Sequence, residues 1–146
     1  IKAFAMLPNR SSYCLFIIGE GALREYLERL ISELGLSDFV FLLGYRKNPY
    51  KYLSRANIFA FTSLYEGYPN ALAEAMVFDN LKIISFDFKA GSKELIGNDE
   101  YGKIVRKSDI VGLSQAILDA KNIKNVKHKT LNSIEDLVYD YKKIIE

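Results

Sequence analysis

Four short apolar runs punctuate this chain: YCLFII at 13–18, FVFLLG at 39–44, NIFAFTS at 57–63 and KIISFD at 82–87. Runs of this length with apolar residues at consecutive positions keep no side for solvent, so they read as strands buried on both faces. The segments between them carry helical spacing instead. Leu23, Tyr26, Leu27, Leu30, Ile31 and Leu34 recur along one helix face, and Gly35 follows as a left-handed cap. NPYKYLSRA at 48–56 reads as a short helix with Pro49 in its first turn, and PNALAEAMVF at 69–78 as another. Further on come a short helix near SKELI, a strand near KIV, and a helix opened by Asp109 that carries Ile110, Val111, Leu113, Ala116, Ile117 and Ala120. Alternating buried strands and amphipathic helices predict a Rossmann-like, doubly wound α/β domain around a parallel sheet.

That domain is expected over residues 1–122, with 123–146 as a basic linker and terminal helix. Ile134, Leu137, Val138, Tyr141, Ile144 and Ile145 would form the apolar stripe of that last helix, opened by Ser133. The first residues, IKAFAML, have helical spacing at Ile1, Phe4 and Ala5 and no initiating methionine, which reads as a chain entered mid-helix and therefore as a truncated piece of something longer.

Composition narrows the function. A net charge of +2, from 20 basic and 18 acidic side chains, gives no global field to recruit nucleic acid. One cysteine and one histidine, Cys14 and His128, are too few for a zinc site or a thiol–imidazole pair. Cys14 reads as a small core residue and His128 as a solvated linker residue. The tyrosines and phenylalanines, scattered through strands and helices, are expected mostly in the core and not as a stacking platform. No apolar run approaches the roughly 18 residues of a membrane span.

In sheets of this kind ligands bind beyond the carboxyl ends of the strands. The segment after the third strand, YEGYPNALAEAM, is the richest such place. With Pro69 in the first helical position, the free amides of Asn70, Ala71 and Leu72 would face the crevice, where the helix dipole favours a diphosphate. Glu74 shares a helix face with Asn70, within reach of vicinal ribose hydroxyls, and Glu66 precedes the helix and would face the group beyond the phosphates. The same two acids also read as an ordinary acidic residue at a helix start and a solvated helix residue. GEGALR at 19–24 lacks the third glycine of a dinucleotide fingerprint, Arg24 standing in its place, which argues against NAD.

E-G-Y-P-N-A-L-A-E-A-M resembles the E-x7-E signature of the family 4 (group 1) retaining glycosyltransferases. IIGEGALREYLERLISELGL, VFLLGYRKNPYKYLSRANIFAFTSLYEG and SFDFKAGSKELI are similar to the family's neighbouring segments, so the likeness covers residues 1 to about 120. It implies the C-terminal, donor-binding half of a two-domain GT-B enzyme that takes a nucleoside diphosphate sugar, with UDP as the expected nucleotide, as substrate and needs neither metal nor cofactor.

By position, the resemblance implies that Glu74 binds ribose and that Glu66 acts at the donor sugar. Gly67, Tyr68, Pro69, Asn70, Ala71 and Leu72 would hold diphosphate or sugar through the backbone, Gly19 and Gly21 would allow close approach, and Gly44, Tyr45 and Arg46 would seat the base. It further implies a glycan or lipid-linked acceptor bound by a missing N-terminal domain, work on cell-envelope polysaccharide in the cytoplasm, and little activity in the piece alone. Lys121, Lys124, Lys127 and Lys129 read either as a solvated linker or as a peripheral contact with the inner face of the membrane. Departures are the absent upstream Arg/Lys loop, VFDNLK after the motif helix, and Ser92 where proline is common. A non-catalytic nucleotide sensor or interaction module on the same fold is the alternative.

Overall fold

The computed structural model describes residues 1–88, 92–97 and 101–120. The expected linker, His128, its neighbouring lysines and the terminal helix lie outside the described residues. The chain divides into two units, Ile1–Lys51 and a second from Tyr52 onward.

The first unit opens with α1 (Lys2–Ala5), which buries Ala3 and Phe4, followed by a single 3-10 turn at Arg10–Ser12. Strand β1 (Leu15–Ile18) and strand β2 (Val40–Gly44) then pair in parallel, Leu15 opposite Val40 and Phe16 opposite Phe41, with the register breaking between Ile17 and Ile18. The crossover between them is α2 (Arg24–Glu33). It stops where the sequence says it should. Gly35 has φ +63, its amide donates to Ser32 O at 3.0 Å, and the Leu36 amide donates to Ile31 O at 2.9 Å. These two bonds form a Schellman motif, and Leu36, wholly buried, begins the descent into β2.

The expectation of strands covered on both faces fails in this unit. Phe16 and Phe41 stack at 5.5 Å between ring centroids, yet remain 52% and 37% exposed. Adjacent strands bring the two rings together, but one crossover helix covers only one face of a two-stranded ladder. Cys14 is likewise exposed rather than in the core, because it precedes β1 and the ladder begins only at Leu15.

A short helix α3 (Tyr50–Leu53) falls across the division. In the second unit, β3 (Ile58–Phe61), β4 (Lys82–Phe86) and β5 (Lys103–Val105) form a parallel sheet in the order β3-β4-β5. Here the central strand matches expectation, with four consecutive residues, Ile83 to Phe86, buried, whereas β3 at the sheet's edge leaves Ala60 exposed. Helix α4 (Asn70–Ala75) connects β3 to β4, α5 (Ser92–Ile96) connects β4 to β5, and α6 (Ile110–Ala120) follows β5. Leu72, Ala75, Met76, Leu81, Ile83, Phe88 and Ile96 make the core, each large one worth about 1.5–3 kcal/mol by burial. Phe61 meets Phe88 edge to face at 5.6 Å.

Helix α4 is shorter than the periodicity suggests. Beyond Ala75 the bonds tighten, Val77 N–H to Glu74 O and Phe78 N–H to Ala75 O, and the chain turns. Asn80, within the divergent VFDNLK, donates its side-chain amide to Ala56 O at 2.9 Å and Ser54 O at 3.3 Å, tying the turn to the approach to β3.

Candidate functional site

The segment between β3 and α4 occupies the carboxyl edge of the second unit's sheet. Ser63 Oγ donates to Tyr65 O at 3.2 Å, which folds the chain back immediately after the strand. Glu66 is half-buried and Gly67 exposed, with open space where a Cβ would stand. Pro69 is buried and has φ −84 and ψ 69. Those angles define an inverse γ-turn, closed by the Asn70 amide donating to Tyr68 O at 3.0 Å.

This corrects the expected start of the helix. Pro69 is the N-cap, not the first helical residue, and Asn70 and Leu72 do not offer free amides, since Leu72 N–H donates to Pro69 O at 3.0 Å. The reason is that proline fixes φ but leaves ψ to its neighbours, and here ψ folds the carbonyl of Tyr68 over the next amide. Among the described residues, the amides of Gly67 and Ala71 have no partner. The helix presents Asn70, Ala71 and Glu74 as its accessible side, while Leu72, Ala73, Ala75 and the C-cap Met76 are buried. Asn70 and Glu74 thus share a face, as their spacing predicts. Among the described residues neither Glu66 nor Glu74 has a hydrogen-bond or ion-pair partner for its carboxylate.

In the first unit the structure brings Gly19 and Gly44 together. Gly19 N–H donates to Gly44 O at 3.0 Å, with φ +133 and +72. A Cβ on Gly44 would run into the Glu20 carboxylate. Gly21 has no positive φ and faces open space. Tyr45 is 73% exposed, and Arg46 donates to Tyr45 O at 3.3 Å. Arg24 pairs with Glu20 at 3.1 Å and Glu28 at 3.0 Å and donates to Leu42 O at 3.3 Å, so its guanidinium holds its own unit together.

Two features at the carboxyl edge of the second sheet escaped the sequence reading. Asp87, the residue after β4, accepts from Ser92 Oγ at 3.2 Å and pairs with Lys93 at 3.4 Å, joining the strand end to α5. Its place at the end of an apolar run was a signal. Lys107, after β5, stands over the Tyr65 ring at 3.6 Å, a pairing without any local signature.

The family model described as "Glycosyl transferases group 1" matches residues 1–135. The chain belongs to this family. It is 39% identical over 133 residues to the Campylobacter jejuni N-acetylgalactosamine-N,N'-diacetylbacillosaminyl-diphospho-undecaprenol 4-alpha-N-acetylgalactosaminyltransferase, covering 88% of this chain and 36% of that protein. Among solved structures, the Staphylococcus aureus TarM mutant in complex with Fondaparinux, alpha-GlcNAc-glycerol and UDP superposes with TM-score 0.81 at 24% identity, covering 99% of this chain and 30% of that one. Anabaena HepE in complex with UDP gives TM-score 0.72 at 20% identity over 86% of this chain and 35% of that one. This group 1 glycosyltransferase chain therefore spans about a third of the length of these three proteins, and its α/β fold with parallel sheets is that of GT-B glycosyltransferases.

Proposed function

We propose that this chain is the donor-binding part of a retaining glycosyltransferase that moves a sugar from a UDP-sugar to a glycan or lipid-linked acceptor during cell-envelope polysaccharide synthesis. The observation that carries the reading is the E-x7-E segment at the carboxyl edge of β3, with Glu66 and Glu74 both accessible and without partners among the described residues. Support comes also from the relatives: one is named for an undecaprenol-linked acceptor and two structural neighbours hold UDP.

In this reading Glu74 accepts hydrogen bonds from the ribose hydroxyls and Glu66 from hydroxyls of the donor sugar. The Gly67 and Ala71 amides contribute at the phosphates, fewer donors than a free helix start would supply, so cations from the remainder of the parent protein carry most of the diphosphate charge. Transfer breaks the bond from the anomeric carbon to the phosphate oxygen and forms one to the acceptor hydroxyl, whose proton passes to the departing phosphate. The acceptor site belongs to the part of the parent protein beyond this chain, which works in the cytoplasm at the inner face of the membrane. No resident metal is required, so donor binding is expected to survive EDTA.

Titrating UDP and UDP-sugars into the wild-type chain, Glu74→Ala and Glu66→Ala tests the assignment. Loss of a charged hydrogen bond predicts roughly tenfold or more weaker UDP binding in Glu74→Ala. Glu66→Ala is expected to weaken only sugar-bearing ligands. Equal effects of both variants on every ligand would point instead to a nucleotide sensor without chemistry.

A further inference from the structure

Tyr65 is 84% exposed and lies four residues past the end of β3. Lys107 Nζ lies 3.6 Å from the ring centroid. Lys107 comes from two residues past the end of β5, and β4 lies between β3 and β5 in the sheet. The contact therefore reaches over the carboxyl end of β4, across strands about 10 Å apart.

Both partners have braced backbones. Ser63 Oγ holds the Tyr65 carbonyl at 3.2 Å. Beyond Lys107, Ser108 adopts φ +62, Asp109 Oδ1 accepts the Gly112 amide at 2.8 Å, and Arg106 stands 3.7 Å from Asp109. A left-handed non-glycine residue persists only where its surroundings hold it, so Lys107 projects from a fixed loop.

An ammonium over one face of a tyrosine orients the ring and leaves the other face to solvent. An aromatic ring with an open face, fixed at the edge of a site and carrying a hydroxyl at its tip, suits a ligand with an apolar face and a polar rim. A pyranose ring has both, its axial C–H groups on one side and its hydroxyls around the edge. Tyr65 is also the direct neighbour of Glu66, which the functional reading places against sugar hydroxyls. We propose that Tyr65, oriented by Lys107, is a stacking platform for the C–H face of a pyranose, so that residues 65 and 66 address the two kinds of surface one sugar offers. This inference rests on the donor-site reading above.

The test uses the whole chain and three probes: UDP, UDP-N-acetylglucosamine and methyl α-N-acetylglucosaminide. Tyr65→Ala is expected to weaken a sugar-bearing probe roughly three- to tenfold while leaving UDP unchanged. Loss in the UDP-N-acetylglucosamine arm identifies the donor sugar as the ligand, and loss confined to the glycoside arm identifies an acceptor sugar. Tyr65→Phe should keep the affinity, and Lys107→Gln should lose part of it by freeing the ring. Unchanged sugar binding in Tyr65→Ala, or an equal loss for UDP, overturns the platform. Failure of the wild-type chain to bind UDP would count against the donor site instead. Saturation transfer from aromatic protons to the glycoside, expected in wild type and lost in Tyr65→Ala, then decides the platform without nucleotide; transfer that persists in the variant refutes it.

Discussion

The Asn70 amide donates to the Tyr68 carbonyl across 3.0 Å, closing a three-residue turn around Pro69 at the head of α4. This one bond converts what reads as a proline-led helix start into a buried corner. Glu66 then precedes this turn, and Glu74 follows it on α4.

Replacing Pro69 by alanine removes both the restriction on φ and buried ring atoms. The expected cost is about 1–2 kcal/mol, read as a lower urea midpoint with an unchanged m value.

Gly35→Ala forces a side chain into the left-handed region at φ +63. The strain of about 1–2 kcal/mol is offset in part by lower unfolded-state entropy, leaving about 1 kcal/mol of destabilisation, measurable by urea denaturation.

Asp109 caps α6 through the Gly112 amide at 2.8 Å. Asp109→Ala should therefore cost about 1 kcal/mol, and Asp109→Asn a smaller amount, by the same denaturation measurement. Equal losses in both variants would show that the charge, and not the cap, matters.

Ser92 is fully buried, with its hydroxyl accepting the Phe88 amide at 3.4 Å and lying 3.2 Å from both Asp87 Oδ1 and Phe88 O. Ser92→Ala strands those groups and is expected to cost about 1–3 kcal/mol. Lys93→Ala, which loses only a solvated ion pair with Asp87 at 3.4 Å, should change stability by under about 1 kcal/mol.

Local chemistry carried far in this chain. The apolar runs located all the longer strands among the described residues, and Gly35 and Asp109 marked a helix end and a helix start because capping depends on residues within one turn. The E-x7-E segment was legible for the same reason, since a spacing of four places Asn70 and Glu74 on one face whatever surrounds the helix. The corner at Pro69 was not legible, because ψ is set by neighbours and a proline ring constrains φ alone. The exposed Phe16–Phe41 pair misled for another reason. Hydrophobicity reports what a strand would prefer to bury, and only packing decides whether a cover is there.

What the sequence alone determined is the alternation of strand and helix, their caps, and the family signature at the end of β3, all products of interactions a few residues long. What only the tertiary structure decided is which loops meet: Tyr65, after β3, with Lys107, after β5, over the end of β4. Tyr65 and Lys107 belong to loops after different strands, and only parallel pairing with β4 between β3 and β5 puts both at the same sheet edge, so no local pattern records their meeting.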